Sequence, residues 1–136
     1  MNFAHFIFAT AAFKDGEASL ARNVNRITGH ELALWLSAEL RMRGHAVSDP
    51  WAEDHGWDFD VTAGNSSYLC VCAIMFGDEG QAEQAGEGNV SIDKKRSMMD
   101  RLRGRNLLSS DDEVVAACRT VLQSCPDVAK LEIEVA

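Results

Sequence analysis

No stretch of this chain is apolar for the roughly 18 to 20 residues that a helical bilayer crossing needs, and the longest apolar run, Tyr68 to Phe76, stops far short of it. Met1 to Phe13 lacks the basic start of a secretory leader, and its alternating aromatics suit a strand instead. A cytoplasmic, non-membrane protein is therefore expected. Positive charge is also scarce, with 13 Lys and Arg against 21 Asp and Glu and a net charge of -8, which disfavours loose binding to nucleic acid or to an anionic membrane. There is no nucleophile elbow, kinase signature or dinucleotide fingerprint, and Gly77-x-x-Gly80 and Gly86-x-Gly88 lack the strand–turn–helix setting of a phosphate loop. No repeat of fixed period and no linker divides the chain. No reaction is assigned on these grounds, and no cofactor is called for.

What is present fits one globular α+β domain over residues 1–136. Its 46% hydrophobic and 25% charged content is ordinary for such a chain, and its length is sufficient to bury one core without staples. Cys70, Cys72, Cys118 and Cys125 all fall in apolar patterns, as reduced core thiols do. Cys70 and Cys72, two apart on a strand, share a face, so a soft metal or a bond to a helix cysteine is the competing use.

Periodicity places the elements. Asn2 to Thr10 reads as a strand covered on both sides, and Lys14 to Arg26 as a long surface loop. Thr28-Gly-His-Glu31 has the form of a capping box, with Leu32, Trp35, Leu36 and Leu40 at helical spacing behind it and Gly44 as the stop. His45 to Asp49 is extended up to Pro50, and Trp51 to Gly56 is a turn. Trp57, Phe59, Val61 and Ala63 alternate with Asp58, Asp60 and Thr62 as a half-buried strand, and Gly64 to Ser67 forms a hairpin turn. Tyr68 to Phe76 is apolar throughout and belongs at the centre of a sheet. Gly77 to Gly88 reads as a flexible, acidic, Gly-rich loop, followed by a short strand through Val90 and Ile92. Ser110 to Glu113 caps a second helix, striped by Val114, Cys118, Val121, Leu122 and Cys125 and stopped by Pro126. Leu131, Ile133 and Val135 alternate with Lys130, Glu132 and Glu134 in a last strand with one wet face. The sum is a mainly antiparallel sheet of five to six strands with two helices packed on one face, in the order β-α-β-β-β-β-α-β, related to the ferredoxin-like arrangement.

Two kinds of candidate site follow. The first is chemical: His45, Asp49, Glu53 and His55, with Asp54 and Asp58 among them, hold the residue types of a divalent-metal or acid–base site, since imidazole titrates near neutrality and carboxylates suit hard cations. Consecutive turn residues point in different directions, however, so a solvated turn between tryptophans explains the same letters. His30 reads as an exposed first-turn residue, and His5, on a strand, as a hydrogen-bonded core histidine.

The second kind is electrostatic. Lys94, Lys95, Arg96, Arg101, Arg103 and Arg105 stand against one acid, Asp100, a local charge of +5 that leaves -13 on the rest of the chain. Asp58, Asp60, Asp93, Glu132 and Glu134 should project together from the wet side of the sheet. Crowded carboxylates repel, typically by up to about 1 kcal/mol per directly opposed pair, so a cation is expected close by: the chain's own basic segment, a second copy, or a basic partner.

Leu32-Ala-Leu-Trp-Leu36, Leu40-Arg-Met-Arg-Gly-His45, Pro50 and Glu53-Asp54-His55-Gly56-Trp57 together resemble a pattern of small uncharacterised bacterial cytosolic proteins, in which a leucine-rich helix ends at Arg-Gly and a Glu-Asp-x-Gly-Trp turn leads into a strand. The resemblance implies a shared fold and brings no activity. The expectation for function is therefore a non-enzymatic binding or regulatory module, acting on a protein partner or a second copy through Asp58, Asp60, Glu132 and Glu134 and the basic segment. A small metal-assisted enzyme built on His45, Asp49, Glu53 and His55 is the alternative.

Overall fold

The computed structural model describes residues 3–16, 28–75 and 86–135. Within them the chain forms β1 (Phe3–Thr10), α1 (His30–Met42), β2 (Ala46–Val47), β3 (Trp51–Glu53), β4 (Gly56–Ala63), β5 (Ser66–Met75), β6 (Gly86–Lys94), α2 (Met98–Arg103), α3 (Glu113–Ser124) and β7 (Ala129–Val135). The class is α+β with an antiparallel sheet, as expected. Among the described residues there are seven strands rather than five or six, and three helices rather than two. No described helix is long and apolar enough to cross a membrane.

The sheet runs β2-β4-β5-β6-β1-β7, with β3 also paired to β4 beyond β2. Every pairing is antiparallel, so side chains at directly opposed positions share a face. Ala4, Phe6 and Phe8 on β1, Phe59 and Val61 on β4, Tyr68, Cys70, Cys72 and Ile74 on β5, and Val90 and Ile92 on β6 are all buried. They form one core with Leu32, Ala33, Leu36 and Leu40 of α1 and Val114, Val115, Cys118, Val121 and Leu122 of α3. Helix α1 lies against β5, β4 and β2, and α3 against α1 and β4.

The extra strand comes from Trp51 to Glu53, which pairs with β4 and turns back through Asp54 and His55. What reads as a turn in sequence is a two-residue hairpin, and Gly56 makes it possible. With φ at 151° it adopts a conformation L side chains avoid, and a Cβ there would stand 2.5 Å from the Cys72 carbonyl oxygen. A second correction concerns the glycine-rich run. Its residues 77–85 lie outside the described set, as do residues 17–26 of the surface loop expected at 14–26, but Gly86 and Gly88 open β6. A Cβ on Gly88 would fall 2.3 Å from the Phe8 ring, which occupies that space.

The helix starts also differ from expectation. Thr28 does not cap α1; its hydroxyl donates to the Ile74 carbonyl, while the Asp15 carboxylate accepts from the amides of Gly29, His30 and Glu31. A carboxylate from outside the helix thus meets the free amides and the positive end of the dipole together. For α3, Asp112 is the N-cap residue but makes no side-chain cap bond; its carboxylate accepts instead from Tyr68 Oη and from Lys94 Nζ, the latter at 3.3 Å. The capping box that forms is Ser97 with Asp100, at the head of α2.

Gly56→Ala is expected to lower stability by about 2 kcal/mol or more, since it combines positive-φ strain with a backbone clash. Gly44→Ala is the control: its φ is 93° but nothing lies within 4 Å, so it should cost only about 1 kcal/mol of backbone strain. Chemical denaturation of the two variants checks the order.

Candidate functional site

Both packed helices lie on one side of the sheet. On the other, among the described residues, the strands present a face that no helix or strand covers, so β1, expected to be covered on both sides, is buried on one. Its rows follow from the register. One runs Trp51, Asp58, Val71, Ser91, His5, Glu134, and another Asp60, Leu69, Asp93, Phe3. Beside the first, Ala73, Asn89, Ile7 and Glu132 are in line. Phe3, Ile7, Leu69, Val71 and Ala73 are half-buried there, whereas Glu87, Asp93, Glu132 and Glu134 are exposed. The face therefore has an apolar middle broken by polar residues and edged by carboxylates.

Asp58 is the exception among those acids. It is 2% exposed, with Trp51 and Val71 opposite it on the flanking strands and its Oδ2 3.0 Å from His55 Nε2. Its other oxygen is buried and has no hydrogen-bond partner among the described residues. Burial pushes the carboxyl above the usual aspartate range, the His55 bond opposes that rise, and the nearby charges of Glu53 and Asp60 add to it. Beside the pair is a hollow of about 270 Å³ lined by His55, Val71, Ala73, Asn89 and Ser91. Across the hollow's rim, His5 Nε2 is 3.0 Å from Asn89 Oδ1.

The sequence-expected acids do share this face, but not as one cluster. Asp58 and Asp60 are on β4 and Glu132 and Glu134 on β7, with three strands between, roughly 19 Å at the usual spacing of about 4.8 Å. No two of the five oppose each other directly, because Val71 or Leu69 sits beside each β4 acid. The basic segment is divided as well. Lys94 turns into the helix-covered side and is 91% buried beside Asp112. Lys95 reaches Asp60 at 2.7 Å, an intramolecular neutralisation of that carboxylate. Arg96 donates to the carbonyls of Asp100 and Arg105 and so closes the loop around α2. Arg101, Arg103 and Arg105 are left exposed.

The chemical candidates separate. Asp49 is exposed and 3.9 Å from Arg41; Glu53 accepts from the Trp51 indole at 2.9 Å; His55 pairs with Asp58; His45 lies just after α1 and its amide donates to Leu40. Among the described residues no group of three His, Cys, Asp or Glu side chains is placed to hold a metal ion. His30 is corrected: it is buried and stacks on Trp57 with ring centroids 4.0 Å apart. Cys70, Cys72 and Cys118 are buried free thiols, and burial raises their pKa values, that of Cys118 to about 12, so they are poor nucleophiles at neutral pH.

Sequence reasoning did not single out Val71, Ala73, Asn89 and Ser91. The signal for the first two was present: once Tyr68, Cys70, Cys72 and Ile74 are given to the core, parity sends Leu69, Val71 and Ala73 to the opposite face. Comparison of the chain with protein-family models, with curated proteins and with solved structures finds no match in any of the three.

An acid whose folded pKa lies above its unfolded value of 3.8 holds its proton more tightly when folded, so its ionisation destabilises the fold above that raised pKa. Asp58→Asn should accordingly melt higher than the parent at neutral pH, with the gap closing on acidification as the parent carboxyl also becomes neutral. Melting curves at several pH values measure it; a gap that does not change with pH contradicts the assignment.

Proposed function

We propose that this chain is a non-enzymatic binding module whose uncovered sheet face takes a basic protein element carrying apolar side chains. The observation that carries the reading is the make-up of that face. Ile7, Leu69, Val71 and Ala73 offer apolar surface, Glu87, Asp93, Glu132 and Glu134 offer exposed carboxylates, and Lys95 is already committed to Asp60. Apolar area supplies the attraction, and unpaired rim charge selects the sign of the partner and speeds encounter. A second hollow of about 340 Å³, lined by Ile7, Phe8, Ala9, Gly86, Glu87, Lys130 and Glu132, gives the face relief at its β7 side. A net charge of -8 favours the same class of partner.

A synthetic peptide alternating arginine and leucine over about twelve residues is expected to bind with micromolar affinity, and to lose most of that affinity between about 50 mM and about 500 mM salt, where screening shortens from about 14 Å to about 4 Å. A glutamate–leucine peptide should not bind. Paired reversals Glu132→Lys and Glu134→Lys should weaken the arginine peptide about tenfold. Equal binding of both peptides, or salt-independent binding, contradicts the reading.

A small enzyme is the second reading. Of its four original residues, His55 keeps a specific observation in its favour: a buried carboxylate orients its imidazole at the edge of a hollow, as general-base catalysis requires. Zinc or manganese bound after purification, or either ion raising the melting temperature, would support the metal-assisted form. The absence of both effects would remove it.

A further inference from the structure

Helix α2 has no buried residue. Met98 is 79% and Leu102 76% exposed, and Met99 and Leu107 are exposed beside them. Three large apolar side chains of the helix, and Leu107 just after it, have no packing partner among the described residues, and isolated short helices are marginal without one. The segment is nonetheless held in shape. The Ser97–Asp100 capping box starts it, Gly104 in the left-handed region ends it, and Arg96 ties its two flanks together. Its remaining charges, Arg101, Arg103 and Arg105, are exposed and basic.

Apolar and basic is the complement of the uncovered sheet face, which is apolar and acidic. Lys95, at the root of the segment, bonds to Asp60 on that face, so α2 springs from the sheet end where Asp60 and Asp93 lie. We infer that the partner of the uncovered face is a second copy of this chain, each copy laying its α2 segment, Arg96 to Leu107, on the other's sheet. This rests on the docking reading above and names its occupant. A reciprocal, twofold arrangement uses both surfaces of both copies and leaves neither exposed, which a one-way contact does not. One twelve-residue segment covers less than the roughly 800 Å² per partner of a standard interface; two exchanged segments approach it.

The test is a charge swap on the full chain, read by sedimentation. One variant carries Arg101→Glu, Arg103→Glu and Arg105→Glu; the other carries Glu132→Lys and Glu134→Lys. All five positions are exposed, and circular dichroism confirms folding. The parent is expected to form dimers at low salt, each variant alone to associate at least about tenfold more weakly, and the mixture to recover dimers, because each reversed surface then meets an opposite one. Met98→Ser with Leu102→Ser should weaken the parent dimer without touching the core. Parent dimers that survive the arginine reversal overturn the inference. So does a parent that stays monomeric at about 100 µM, well above a micromolar dissociation constant. If that monomer still binds the arginine–leucine peptide, the docking face stands and only its occupant is wrong; if it binds neither, both fall.

Discussion

Among the described residues two helices pack on a seven-stranded sheet, and both take the same side, so the other side carries no helix. Helices α1 and α3 both go to the face formed by Phe6, Phe8, Tyr68, Cys70, Cys72 and Ile74. Burial of that many large side chains is the main driving force of the fold, at roughly 25 cal/mol per Å² of apolar surface. The strict alternation of the strands then fixes what the other face must contain. Leu69, Val71 and Ala73 reach it because Tyr68, Cys70 and Cys72 do not, and a one-residue slip of β5 would exchange the two sets.

The same alternation splits the basic segment at its root. Lys94, opposite Tyr68 in the ladder, enters the covered side, where its ammonium is 5.8 Å from the Tyr68 ring centre and bonded to Asp112. Lys95 leaves on the other side and neutralises Asp60. Buried charges are tolerated only when paired and hydrogen-bonded, and Asp112 serves both Lys94 and Tyr68. The network thereby joins the start of α3 to the ends of β5 and β6, and it sets the direction in which the chain departs into α2. Asp58, whose second carboxylate oxygen is buried without a hydrogen-bond partner among the described residues, sits under the uncovered face.

Much of this was legible in the sequence, because hydrophobic period decides which faces are buried. The alternation at Trp57–Ala63, the apolar run at Tyr68 and the stripe of α3 led directly to elements at those places. Caps were less legible. Thr28 and Ser110 head well-formed capping boxes in sequence, yet Asp15 takes over at α1 from fifteen residues away, and Asp112 is drawn into a buried ion pair. Local chemistry lists the groups able to satisfy an amide; only tertiary structure decides which arrives. The same limit hid the β3 hairpin, whose Gly56 is required by a carbonyl on β5, and the division of the basic run, where Lys94 and Lys95 are neighbours in sequence but lie on opposite sides of a sheet. The carboxylates were placed on the right face, but their spacing across it depends on a strand order that places β1 between β6 and β7, which period alone does not contain.

The claim that the uncovered face is an interface is tested most directly by isotope-filtered NMR on a mixed sample, in which one population is labelled at methionine methyls and the other at isoleucine, leucine and valine methyls. The account requires intermolecular cross-peaks from Met98 and Met99 to Ile7, Leu69 and Val71. Cross-peaks to Leu34 on the helical side in their place, or none under conditions where the chain is associated, would contradict it.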